Sequence, residues 1–214
     1  MIDIADIVQG SPEWFQIRLG RVTASRIHDL TARTKTGWGA SRDNYMAELI
    51  AERLTGTPTA FYTNAAMQWG SDMEPEARAA YSFYADAEVV EVGFVIHPAI
   101  HMAGSSPDGH VGKDGSVEFK CPNTSTHIET LLGGPIDGKY IKQIQWQMAC
   151  SKRRWCDWAS YDPRLPERMR LFVQRVQRDD GMIADLEKLV IAFLNELDEK
   201  VGKLTTKYGS KVAA

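Results

Sequence analysis

Towards the C-terminal end, Leu186, Leu189, Val190, Phe193, Leu194, Leu197, Val201 and Leu204 recur at i, i+3, i+4 spacing. That period predicts one long amphipathic helix whose apolar stripe packs on a core. Helical spacing also runs through residues 45–54 and 69–84, where Gly70, Glu74 and Arg78 stand four apart on one stripe. Between them and the tail the pattern changes. Residues 88–96 (EVVEVGFVI), 101–105, 108–111 and 116–120 are β-branched runs parted by Pro and Gly, and read as strands. Helices are expected at 124–132 and 140–150, and two more strands at 155–161 and 169–176.

At the other end, Ser11-Pro12-Glu13 is a helix start: Ser caps, Pro fits the first turn, and Glu meets the dipole. The short helix carries Trp14, Phe15 and Arg18 and stops at Gly20; a second begins near Ala24. Residues 31–44 (TARTKTGWGASRDN) follow neither period and read as a basic, mobile loop. Helices, then strands, then helices and two strands predict an α/β domain, a mixed central β-sheet flanked by α-helices. Residues 1–214 are expected to form a single domain, without internal repeat.

Composition narrows the class. With 214 residues, 43% of them hydrophobic, the chain can bury a substantial core. No run of about 18 apolar residues offers a membrane span, and the acidic N-terminal stretch lacks the charge of a signal peptide. Cys121, Cys150 and Cys156 lack CxxC spacing, so reduced thiols in a cytoplasmic protein are expected rather than a zinc site. The net charge of −3 argues against a simple nucleic-acid coat, yet charge is unevenly placed. Residues 16–42 hold Arg18, Arg21, Arg26, Arg33, Lys35 and Arg42 against Asp29 alone, while 179–200 is mainly acidic. Two readings stay open: a polarised molecule that offers one basic surface to phosphates, or two solvated helix faces.

The densest chemistry lies in residues 105–122 (SSPDGHVGKDGSVEFKCP). Asp108 stands at a turn, and Glu118 and Lys120 lie two apart on the next strand, so both project from one face. A hairpin return brings Asp108 beside them. Two carboxylates form a hard-oxygen site suited to Mg²⁺ or Mn²⁺, and the Lys120 ammonium can orient water or offset charge on a phosphorane-like transition state. The alternative is an ion pair on an edge strand. Apolar flanks and Cys121-Pro122 favour a buried strand, where such charges need partners or a metal. His97, His101 and His110 have no metal-site spacing and read as structural or surface residues.

Pro107-Asp108, nine residues, then Glu118-Phe119-Lys120 resembles the PD-(D/E)xK nuclease motif. Residues 13–25 (EWFQIRLGRVTAS), 69–78 (WGSDMEPEAR), 143–148 (QIQWQM) and 161–164 (YDPR) extend the likeness, in order, to the phage λ exonuclease and YqaJ-type viral recombinase family. The likeness runs from about Gln9 to the last helix. It implies a restriction-endonuclease-like core and metal ligands at Asp108, Glu118, the Phe119 carbonyl and Glu74, for two Mg²⁺ ions or Mn²⁺. It also implies a water-positioning Lys120 and a catalytic Gln143, with Tyr140 one turn before it. Without the family, Glu74 reads as a surface pair with Arg78 and Gln143 as polar helix surface; for Gln145 that reading is kept. Arg18, Ser25 and Ser106 fall where the family binds a 5′-phosphate, Met67 where it places an apolar wedge, and Lys35 in a loop that enters the duplex. Trp14 and Tyr140 complete the DNA-facing set.

The implied activity is 5′→3′ digestion of one strand of linear double-stranded DNA to mononucleotides, leaving a 3′ single-stranded tail. Homotrimeric ring assembly and a single-strand annealing protein as partner are implied by the resemblance alone. A PD-(D/E)xK endonuclease and a non-catalytic DNA-end-binding scaffold are the competing classes; the intact Asp108, Glu118 and Lys120 argue against the second.

Overall fold

A computed structural model describes residues 7–59 and 64–209. Ser11 caps α1 (Pro12–Arg18), its side chain accepting from Trp14 N. β1 (Val22–Thr23), a 3₁₀ turn (Ala24–Arg26) and the short α2 (Ile27–Leu30) lead to α3 (Ala40–Thr55) and α4 (Ala65–Ala85). Then come β2 (Val89–Val90), β3 (Val95–Ile96), β4 (Ala103–Ser105), β5 (Gly109–Val111) and β6 (Gly115–Lys120). Next are α5 (Thr124–Leu131), α6 (Gly138–Ser151), β7 (Trp155–Tyr161), β8 (Leu171–Gln177) and α7 (Asp180–Tyr208). The expected α/β class holds.

The strands form two sheets, ordered β1-β4-β3 and β2-β5-β6-β7-β8. In the larger one β6 and β7 run parallel and every other pair antiparallel. The expected single strand over 88–96 is instead β2 and β3, one in each sheet. The valine-rich run hides the change because both halves carry the same β-branched signal.

α4 covers one face of the larger sheet, Ala77 and Tyr81 packing on Val117, Phe119 and Ala159. α6 covers the other, with Ile144 and Met148 on Cys156 and Trp158. Trp146 and Cys150, on the far side of α6, join a helical core with α2, α3 and α7. Each fully buried large side chain there contributes about 1.5–3 kcal/mol. α6 is therefore buried on two sides, and this corrects the reading of Gln145. It is 2% exposed, donating to Gln177 O and accepting from Asp179 N. α3 begins five residues before the expected Tyr45, because the polar residues 40–44 carry no apolar signal.

The two charge runs are partly spent on each other. Buried Arg42 pairs with Glu196 at 2.7 Å, and Arg53 pairs with Asp198. Arg26 is taken by Asp29 and Glu48. The basic stretch is thus no continuous free surface; Arg33 and Lys35 remain exposed. Among the described residues no helix is long and apolar enough to cross a membrane.

Candidate active site

The β5–β6 register sets Gly109 against Val117, which brings Asp108 alongside Glu118. Asp108 Oδ2 accepts the Phe119 N–H at 2.7 Å. Glu118 is 2% exposed, and both its oxygens are held. Oε1 accepts Lys120 Nζ at 2.5 Å and Gln143 Nε2 at 2.6 Å; Oε2 accepts Gln147 Nε2 at 2.6 Å. On the opposite face, the Phe119 ring packs edge-on against Tyr81, leaving its backbone for the site.

α4 contributes Glu74, paired with Arg78 at 2.7 Å. The expected surface pair therefore exists, but the same carboxylate also lines a cleft of about 820 Å³ with Met67, Asp108, Lys120, Lys139 and Tyr140. Met67 is 52% exposed on its wall, so it is not core. Pro75 lies inside the helix next to Glu74 and removes one backbone donor there.

Mutual repulsion marks this cluster. Burial, then Glu118 and Glu74, raise the Asp108 pKa well above the ordinary carboxylate value, against Lys120 and the Phe119 N–H. Burial also raises Glu74, with Arg78 opposing and Glu118 adding. For Lys120, burial alone would lower the pKa, but Glu118 and Asp108 outweigh it and hold the ammonium charged. Crowded carboxylates that resist ionisation are a donor set that fits a divalent cation. Among the described residues no three His, Cys, Asp or Glu side chains already close on one point: Glu118 is engaged by its three donors.

A second cluster lies beside the first. Arg18 stacks over Trp14, 4.0 Å from the ring centre, and both Arg18 Nη1 and Trp14 Nε1 donate to Ser106 Oγ, at 3.4 and 2.9 Å. Burial lowers the Arg18 pKa to about 10, with Tyr45 and Glu52 opposing. Glu52 is itself engaged by the Gly20 and Thr59 N–H groups. Among the described residues no carboxylate forms an ion pair with Arg18. Exposed Ser25 borders a hollow of about 60 Å³ beside it. Ser106 is two residues from Asp108, within roughly 7 Å along the chain.

Lys35 lies apart, exposed in the loop before α3 and in the lining of neither hollow. Of the three histidines, buried His97 stacks on Trp146 and meets Glu187, and burial, aided by Arg153, lowers half-buried His110 to about 4. His101 is exposed. Two site residues escaped the sequence reading. Lys139 adjoins Tyr140, its Nζ 4.8 Å from that ring centre. Gln147 continues the Tyr140–Gln143 stripe by one turn, and that spacing was the available signal.

A family model described as the YqaJ-like viral recombinase domain matches residues 13–154. An alkaline exonuclease from Laribacter hongkongensis (LHK-Exo) is 53% identical, with a TM-score of 0.85 over 92% of this chain and 97% of that one. Its complex with dAMP gives 0.86 at the same identity and coverage. A phage-related exonuclease from Haemophilus somnus 129PT shares the fold at 15% identity, TM-score 0.65, covering 86% of this chain and 96% of that one. ExoD, an uncharacterised protein of Escherichia coli K12, is 27% identical over 82 residues, 37% of this chain and 93% of its own length.

Proposed function

The chain belongs to the YqaJ-like viral recombinase family, and from that premise we propose that it is a Mg²⁺-dependent 5′→3′ exonuclease. It digests one strand of linear double-stranded DNA to mononucleotides and leaves a 3′ tail for strand annealing. The observation that carries this reading is the pairing of two neighbouring subsites. One is the Asp108–Glu118–Glu74 cluster with Lys120; the other is half-buried Arg18, which has no ion-paired carboxylate among the described residues, beside Ser106. A half-buried guanidinium with no ion-paired carboxylate among the described residues is under-compensated, and its fork suits phosphate oxygens. With a 5′-phosphate on Arg18, Ser106 and Ser25, the scissile bond sits a short step away, over the carboxylates. Polarity then follows from geometry.

Asp108, Glu118, Glu74 and the Phe119 carbonyl would hold the ion or ions; Mn²⁺ suits the same oxygens. Bound there, a divalent cation supplies an activated water and neutralises charge on the phosphoryl group. Lys120, paired with Glu118 at 2.5 Å, orients the water and offsets transition-state charge. Gln143 donates towards the same region, Tyr140 and Met67 wall the cleft against the terminal base pair, and Trp14 holds Arg18 flat. A homotrimeric ring, an annealing partner and action in the host bacterial cytoplasm belong to the same reading, with the family resemblance as their support. The relative named an alkaline exonuclease and seen with dAMP fits a nuclease that releases mononucleotides.

Linear duplex labelled at the 5′ or 3′ end, beside a closed circle, tests the activity in Mg²⁺. Rapid loss of the 5′ label with the circle intact is expected; a nicked or linearised circle points to an endonuclease. No cutting in either metal would favour an end-binding scaffold. Arg18→Ala should slow digestion of 5′-phosphorylated ends by about 10- to 100-fold, since a charged hydrogen bond is worth about 1.5–3 kcal/mol. The same variant should leave 5′-hydroxyl ends nearly unaffected. Equal loss on both ends would remove the phosphate role.

A further inference from the structure

Gln147 lies one turn beyond Gln143 on α6, under the sheet face that carries Glu118. Its side chain is 1% exposed, and its Nε2 donates to Glu118 Oε2 at 2.6 Å. Its own Oε1 is buried with no partner. Charge fixes which way the amide points: turned over, it would set an acceptor against a carboxylate oxygen. A buried amide with one orphaned end carries a desolvation cost at that end. The arrangement makes sense through what the other end grips.

The two oxygens of Glu118 are held differently. Oε1 meets Lys120 and Gln143, both half-buried, and Lys120 also lines the cleft. Oε2 meets only the buried Gln147. The last torsion of a glutamate is broad, so without that bond the carboxylate plane is set only by the half-buried donors on Oε1. We propose that Gln147 is a positioning residue: it locks the plane of Glu118 so that a divalent cation meets a ligand already oriented. This rests on the reading of the site as a metal-dependent nuclease centre. Loss of such an outer contact typically weakens metal affinity or activity by about 10- to 100-fold.

Two variants of the full chain separate positioning from packing. Gln147→Met keeps the volume and removes the donor; Gln147→Asn keeps the amide but withdraws it by one methylene. Mn²⁺ binding without DNA is read by isothermal titration calorimetry, beside thermal melting and kcat and KM on linear duplex. Both variants should bind Mn²⁺ roughly 10- to 100-fold more weakly. Their kcat should recover as Mn²⁺ is raised, with KM for DNA unchanged. If Gln147→Met melts early, the more polar Gln147→Asn decides. A folded variant that binds Mn²⁺ as tightly as wild type overturns the proposal, even with a lowered melting temperature, because packing alone produces that pattern. Wild-type protein that neither binds Mn²⁺ nor cuts DNA would instead bring down the nuclease-centre reading, and this inference with it.

Discussion

Replacing Lys120 by alanine should slow strand cleavage by roughly 10²- to 10³-fold, the usual loss when one donor to transition-state charge is removed. Single-turnover digestion of 5′-labelled duplex measures it, and a mobility-shift assay in Ca²⁺ should show DNA ends still bound. Binding survives because the Arg18 subsite is separate from Lys120. A second consequence follows from the carboxylates. Lys120 is the ammonium that offsets Asp108 and Glu118, so the variant should melt below wild type in EDTA and recover when Mg²⁺ replaces the lost charge. Lys120→Arg tests the role further: it keeps the charge but spreads it over a planar fork, and should restore stability without restoring the rate. Normal cutting by Lys120→Ala would remove the active-site assignment altogether.

The placement of that lysine was legible before any coordinates, because strand alternation makes the faces of Glu118 and Lys120 certain once β6 is recognised. The turn at Pro107-Asp108 and the glycines beyond it then return Asp108 to the side of Glu118. β7 could be read to the residue, Trp155–Tyr161, since its apolar run is long and bounded by Arg154 and Asp162-Pro163. What resisted reading has one common cause. α6 lies between the sheet and the helical layer, so both its faces are buried and polar residues on it no longer signal solvent. Gln143 and Gln147 share the sheet side; Gln145 points the other way and ties α6 to the start of α7. One line of glutamines thus serves two unrelated purposes, which periodicity alone cannot distinguish. The charge runs stayed ambiguous for a similar reason: composition showed their polarity, while only the fold shows α3 laid against α7 with Arg42 on Glu196.

Asp108→Asn should produce an exchange of stability for function that no surface carboxylate would give. In the unfolded chain this acid titrates near about 3.9, whereas in the fold burial, Glu118 and Glu74 raise it well above that. Between those two values the folded state binds the extra proton, so ion-free protein loses stability as pH rises through the window. Asparagine keeps an oxygen for the Phe119 N–H, which Asp108 now accepts at 2.7 Å, and carries no charge. In EDTA above the window the variant should therefore melt higher than wild type, by about 2–4 °C for each kcal/mol of repulsion relieved. Below about pH 3 the gap should close, because Asp108 is then protonated in both states. Mg²⁺ should reverse the order. At a hundredfold excess over its dissociation constant the ion adds about 2.7 kcal/mol to a protein that binds it, and the variant, short of one ligand, should gain little and cut nothing. Melting curves with and without Mg²⁺ at two pH values read all of this. An equal Mg²⁺ gain in Asp108→Asn and wild type would mean that Asp108 crowds the ion without holding it, and the ligand set would then fall to Glu118, Glu74 and the Phe119 carbonyl.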